Sequence, residues 1–228
     1  EYSDRILSRK ERFARGIVTP FPIPPGSRLP SAPRSGERIR IGVVGLLRRD
    51  KPVWKLLEQL KRYCQTHENS ELVVGTPFWQ MDASMHEQGL NLVDTADQEA
   101  YFGLMASLDI VAADYERKSF EFRSSGVLND ALASGCCMVA PDYPVLKAQM
   151  SIPVTVGVWF SELNQLPAAL DKAINMVKNQ AVDTAAWLAY RQNDRILANL
   201  GEAMKEIIET GQCSRERIGV IEIDRPEP

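Results

Sequence analysis

Residues 119–142 read Ser119-Phe-Glu-Phe-Arg-Ser-Ser-Gly126-Val-Leu-Asn-Asp130-Ala-Leu-Ala-Ser-Gly135-Cys-Cys-Met-Val-Ala-Pro141-Asp142. A polar turn of Arg123, Ser124, Ser125 and Gly126 opens a short helix that ends at Gly135, and a compact apolar strand, Cys136 to Ala140, follows at once. Turn, helix and strand in that order are parts of a parallel α/β layer. Free backbone N–H groups at such a helix start, with hydroxyls and a guanidinium beside them, form a ready site for phosphate or another anion.

The same alternation extends in both directions. Arg38 to Gly45 is a strand whose second half is apolar on both faces, as a buried parallel strand should be. A helix follows from about Pro52 to Tyr63, with Val53, Leu56, Leu57 and Leu60 as its stripe. Then come a strand at Glu71 to Val74, a helix at Gln80 to Gln88 and a brief strand at Asn91 to Val93. Next are a helix at Asp97 to Ser107, with Tyr101, Leu104 and Met105 inward, and a strand at Leu108 to Ala113. Beyond the motif, Pro144 to Met150 reads as helix and Pro153 to Val158 as extended chain. Glu162 to Asn179 is a helix with Leu166, Leu170, Ile174 and Val177 in register. The expected fold is α/β: a Rossmann-like doubly wound parallel sheet with helices on both faces. A long C-terminal helix, Asp183 to Thr210, is stopped by Gly211.

Domain limits come from the punctuation. Residues 1–37 hold a short amphipathic helix, Ser3 to Arg15, and then Pro20, Pro22, Pro24, Pro25, Pro30 and Pro33, too many for helix or central strand. They read as a stiff linker from a missing upstream domain, and the start at Glu1 without methionine suggests a trimmed fragment. Residues 38–180 make the α/β domain. Residues 181–228 hold the long helix and a tail in which Arg217 to Ile223 could form an edge strand.

With 228 residues and 44% hydrophobic content, the chain can bury one substantial core. Its net charge of −3 creates no field that would gather nucleic acid. Cys64, Cys136, Cys137 and Cys213 form no CxxC pair, and the adjacent pair sits in a strand where its side chains point to opposite faces. They read as buried or incidental thiols, and with His67 and His86 in polar surroundings a zinc site is not expected. Nothing approaches the ~20 apolar residues of a membrane helix, and no signal peptide is present, so a cytoplasmic location is expected.

The turn after the first strand, Gly45-Leu46-Leu47-Arg48-Arg49-Asp50-Lys51-Pro52, lacks both the dinucleotide fingerprint and the P-loop pattern. Dinucleotide chemistry and ATP hydrolysis therefore lose ground. Arg48, Arg49 and Lys51 nevertheless sit where the carboxyl end of a parallel strand meets a helix start, the usual ligand edge of such sheets. They read either as ligands for an anion or as a solvated basic turn.

A small residue with Gly126, an aliphatic pair, Asp130, then Ala131-Leu-Ala-Ser-Gly135 and an apolar strand ending in proline resemble a known donor-site signature. It is that of the retaining GT-B glycosyltransferases related to bacterial glycogen synthases and mannosyltransferases. The resemblance spans roughly residues 38–179. It implies that Asp130 takes the place of the second motif acid, which hydrogen-bonds the ribose of a nucleotide sugar. It also implies that Lys51, six residues after Gly45, grips the diphosphate. The first motif acid is replaced by Phe122, with Glu121 one residue away. The arginine that follows the first glycine is replaced by Leu46, and Arg48, Arg49 or Arg123 could supply its charge.

The implied donor-binding set is thus Gly45, Arg48, Lys51, Glu121, Arg123, Ser124, Ser125, Gly126 and Asp130. By this resemblance the chain is the C-terminal half of a transferase moving a hexose from a nucleotide diphosphate sugar to a glycan or lipid-linked acceptor. No metal or cofactor is expected, the nucleotide sugar being a co-substrate. The partner is an N-terminal acceptor-binding domain, through which peripheral membrane contact could arise, and the fragment alone should transfer negligibly. The competing reading is a non-catalytic nucleotide-binding or scaffold module of the same fold.

Weaker candidates remain. Glu116, Arg117 and Lys118 read as a solvated loop rather than as a catalytic set. Phe78 and Trp79, after the second strand, read equally as core or as lining of a base or sugar pocket. Tyr143 and Pro144 close the last motif strand, where the resemblance places a loop near the donor sugar.

Overall fold

The computed structural model describes residues 23, 38–47, 53–81, 85–86, 89–191, 201–202, 205 and 209. Among them one sheet of six strands runs parallel throughout in the order β3-β2-β1-β4-β5-β6. The strands are β1 (Ile39–Val44), β2 (Ser70–Thr76), β3 (Asn91–Asp94), β4 (Ile110–Ala112), β5 (Cys137–Pro141) and β6 (Gly157–Phe160). The helices are α1 (Val53–Thr66), α2 (Gln98–Ser107), α3 (Arg117–Phe120), α4 (Gly126–Ala133), α5 (Pro144–Ser151), α6 (Leu166–Lys178) and α7 (Thr184–Tyr190). This is the Rossmann-like doubly wound sheet read from the sequence.

Strand alternation divides the apolar residues between two cores. Val44, Val73, Val111, Met138 and Ala140 face Leu104 and Met105 of α2, Leu128 and Leu132 of α4, Leu146 of α5, and Trp187 of α7. Ile23, from the otherwise undescribed start, is buried on this side too. Ile41, Val43, Val74, Ile110, Cys137 and Val139 face Leu56, Leu57 and Leu60 of α1 and Leu166 and Leu170 of α6. Cys136 and Cys137 enter opposite cores, as their adjacency implied. The Cys136 thiol donates to the Met105 carbonyl at 3.2 Å, and burial pushes the Cys137 thiol up to about 12.

Register lengthens β2 beyond its apolar run. Ile39 pairs with Ser70 and Val44 with Gly75, so both ends of β2 are held by β1. Gly75 is a poor strand former, yet a Cβ there would lie 2.2 Å from Leu104 Cδ2. Its lack of a side chain lets α2 pack closely. Within the helix expected over 80–88, Met85 and His86 are helical, and a 3-10 turn, Phe78–Gln80, precedes them.

The helix expected over 183–210 is entered at Thr184 with Asp183 as its N-cap. Its first part, α7, closes at Arg191, whose N–H bonds the Leu188 carbonyl at 3.0 Å. Positions 201, 202, 205 and 209 are again helical. The expected Ser3 to Arg15 helix, the Arg217 to Ile223 strand and all of the proline-rich linker except Ile23 lie outside the described residues. Among the described residues no helix is long and apolar enough to cross a membrane.

Candidate functional site

The strand order reverses between β1 and β4, and in sheets of this kind the crevice at the carboxyl ends beside that reversal receives ligands. An open cleft of about 490 Å³ lies there. Its walls are Gly45 and Leu46 after β1, Pro77 and Trp79 after β2, Thr95 and Ala96 after β3, and Tyr115 after β4. The stretch Arg123 to Val127, which leads into α4, closes one side, with Tyr101 and Phe120 beneath it. A second hollow of about 540 Å³ opens between α1 and α6 at the amino end of the sheet. Its polar groups serve one another, Tyr63 Oη donating to Asp171 at 2.6 Å and His67 stacking on Tyr63. The carboxyl-end cleft is therefore the candidate site.

The chemistry of the cleft begins at the first turn of α4, whose early N–H groups have no helical partner. Ser125, the N-cap, spends its own N–H on Gln149 Oε1 at 3.0 Å, and its Oγ accepts from Leu128 N–H at 3.3 Å. The N–H groups of Gly126 and Val127 are left without an acceptor among the described residues, at the positive end of the helix dipole. A Cβ built on Gly126 meets nothing within 4 Å, so the approach to these amides is open. Ser125 is fixed from behind by a 2.7 Å hydrogen bond between its Oγ and Tyr115 Oη, and Tyr143 Oη donates to the Tyr115 carbonyl at 2.7 Å. Arg123 lies with its guanidinium carbon 5.0 Å from the Phe120 ring centre.

The other end of the cleft is braced by two side chains. Asp94 Oδ1 accepts from the N–H groups of Phe78 and Ala96 at 3.0 and 2.9 Å, joining the ends of β2 and β3. Gln80 Oε1 accepts from Leu47 N–H at 2.9 Å and from Thr76 Oγ1 at 3.0 Å, joining the ends of β1 and β2. Trp79 is thereby presented 62% exposed at the rim. Thr95 is buried, and its hydroxyl has no hydrogen-bond partner among the described residues. A buried unsatisfied hydroxyl in a cleft wall is costly unless a ligand or water completes it.

The fold brings Gly45, Arg123, Ser124, Ser125 and Gly126 together in this cleft. Asp130 stands one step behind it. Its carboxylate accepts from Tyr101 Oη at 2.9 Å, and Tyr101 lines the cleft. Burial raises the Asp130 pKa above the ordinary carboxyl value, and the Tyr101 hydrogen bond works against that rise. Tyr101 is itself pushed far up, first by burial and then by the Asp130 charge. Glu121 is not in the cleft wall, and its carboxylate is held by Arg117 at 2.9 and 3.1 Å. Arg48, Arg49 and Lys51 lie outside the described residues. Glu116, Arg117 and Lys118 are exposed as expected, but Arg117–Phe120 forms a helical turn rather than a loop.

Sequence reasoning passed over Thr95, Tyr115, Gln80 and the polar role of Tyr101. A position signal existed for Thr95 and Tyr115, which follow the carboxyl ends of β3 and β4. For Tyr101 there was none, because inward tyrosines on a helix stripe read as core. Asp114, just after β4, also has its pKa raised by burial, with the Tyr115 N–H and the Lys55 charge opposing.

No family model matches the chain, and no curated protein matches it. Solved structures do resemble it in fold. Accessory secretory protein 1, 2 and 3 of Streptococcus pneumoniae matches with a TM-score of 0.57 at 13% identity, over 80% of this chain and 37% of that one. The α,α-trehalose 6-phosphate synthase of Burkholderia multivorans matches at 0.55 and 12%, over 78% and 45%. The pneumococcal O-GlcNAc transferase GtfA in complex with UDP and GlcNAc matches at 0.53 and 14%, over 91% and 44%. The chain spans less than half the length of each. At these identities the likeness is one of fold: the chain has a Rossmann-like fold shared with GT-B glycosyltransferases.

Proposed function

We propose that this chain is the donor-binding half of a retaining glycosyltransferase, holding a nucleotide diphosphate sugar in the carboxyl-end cleft. The observation that carries the reading is the pair of amides, Gly126 and Val127, without an acceptor among the described residues, at a helix start that opens into the crevice beside the strand reversal. The diphosphate would lie against these amides and Arg123, and by the sequence resemblance Lys51 and Arg48 would add positive charge to it. Departure of the nucleotide diphosphate builds negative charge, which preorganised amides and cations stabilise without a metal. The nucleoside would extend toward Thr95 and Trp79, whose hydroxyl, without a partner among the described residues, and exposed indole suit a polar heterocycle. Asp130 would serve the ribose together with Tyr101. UDP and GlcNAc in the similar pneumococcal transferase are consistent with a UDP-sugar. Acceptor and acceptor activation would belong to the rest of the protein, so the 228-residue chain should bind donor and transfer negligibly.

The second reading, a module that binds without transferring, is favoured by one observation. Phe122 occupies the first motif acid's place, and the neighbouring Glu121 carboxylate is engaged by Arg117 outside the cleft wall. Calorimetric titration with UDP, GDP and their sugars tests the shared premise. Binding abolished by Lys51→Ala or Asp130→Ala supports a donor site, whereas no heat with any nucleotide sinks it. Release of free sugar from a bound nucleotide sugar then distinguishes a transferase site from a binding module.

A further inference from the structure

Gln149 lies on α5, outside the cleft wall, yet three helices meet at it. Its side chain accepts from Ser125 N–H at 3.0 Å and donates to Asn129 Oδ1 at 3.0 Å, gripping both ends of the first turn of α4. Its main-chain carbonyl accepts from Trp187 Nε1 at 2.7 Å and from Arg191 Nη2 at 3.2 Å, both at α7. All five residues are buried.

The arrangement is costly for a packing device alone. Arg191 is 2% exposed, has no carboxylate partner among the described residues, and leaves its Nε unsatisfied. Burial lowers its pKa to about 10. Among the described residues the carbonyls of Gln149 and Ile152, the Trp187 ring and the neighbouring Tyr190 offset the charge. An apolar contact would fill this space more stably, but it would carry no direction. Hydrogen bonds do, because each holds its partner to about one distance and angle.

We propose that Gln149 is a positioning residue that sets the geometry of the first turn of α4 and makes it depend on the seating of α7. By taking the Ser125 N–H, Gln149 limits the outward-facing amides to Gly126 and Val127 and fixes where they point. A shift of Trp187 and Arg191 moves the Gln149 carbonyl, and the side chain on the same residue carries the shift into the turn. The consequence for ligand binding rests on the donor-site reading, but the mechanical link does not.

The test uses the whole 228-residue chain and three variants: Gln149→Leu, Trp187→Phe, and Leu170→Ala in the opposite core as a control for general destabilisation. Amide hydrogen exchange is followed in the ligand-free protein. Gln149→Leu and Trp187→Phe should speed exchange across residues 123–130 by about tenfold beyond any change in α1 and α6, the scale of one lost hydrogen bond. Leu170→Ala should not. The affinity arm compares UDP or GDP, whichever the unmodified chain binds, with its parent nucleoside. Both first variants should weaken the diphosphate about tenfold and the nucleoside less than about threefold. Exchange over 123–130 that merely tracks global stability in all three variants overturns the link. Selective exchange in a chain that binds no nucleotide leaves the link standing and removes the donor-site reading instead.

Discussion

Tyr101 Oη donates to the Asp130 carboxylate across 2.9 Å, so the acid that the sequence motif assigns to the ligand is held by a cleft-wall phenol. The pair joins α2 to α4 and places a negative charge directly behind the cleft. Removing the hydroxyl in Tyr101→Phe leaves a half-buried carboxylate without that donor. A loss of about 1–3 kcal/mol at neutral pH is expected by chemical denaturation. Because the lost bond favoured the charged form, the loss should shrink in acid, where the carboxyl is protonated. Equal losses at both pH values would show that Asp130 does not depend on Tyr101.

Asp130→Asn should separate stability from binding. The folded-state pKa of Asp130 is raised, so its protonated form is favoured by folding. Its contribution is present below the ordinary carboxyl pKa and is lost as pH rises through the raised value. An asparagine carbonyl can still accept from Tyr101 but carries no charge to desolvate. The variant should therefore melt higher than the parent at pH 7, with the advantage fading in acid, while nucleotide affinity falls. A melting point that drops at pH 7 would contradict the assignment.

Thr95→Val replaces a buried hydroxyl that has no partner among the described residues by a methyl of similar size. The ligand-free protein should be unchanged or more stable, by up to about 1–3 kcal/mol. Nucleotide affinity should fall if the ligand completes the hydroxyl. Thermal melts with and without nucleotide distinguish the two effects.

Gly126→Ala adds a methyl group into open space at a helical position. Stability should rise by about 0.5–1 kcal/mol from the gain in helix propensity. The same methyl stands at the mouth of the Gly126 and Val127 amides, so diphosphate affinity should drop. An unaltered affinity would mean that the anion does not sit there.

Ser125→Ala removes the side chain that caps α4 and bonds Tyr115. The cost should be about 0.5–2 kcal/mol, measured by urea unfolding, and exchange should quicken first at Leu128, whose N–H loses its acceptor.

Local pattern was enough to read the sheet. Apolar runs such as Ile39–Val44 and Cys137–Pro141 can be buried on both faces only between helices, and the stripe of Val53, Leu56, Leu57 and Leu60 admits only a helix packed on that sheet. The helix start at Ser125 and Gly126 was equally legible, because capping is a property of neighbouring residues. Register, partner and cost were not. The Gly75 contact with Leu104, the Tyr101 hold on Asp130, the capture of Glu121 by Arg117 at α3, and the convergence on Gln149 join residues whose meeting no local preference encodes. The sequence alone determined that a parallel α/β sheet would carry a serine-capped helix start at its carboxyl edge. Tertiary structure alone decided which side chains face that edge, since hydrogen bonds and close packing between distant segments depend on distances that exist only once the sheet has assembled.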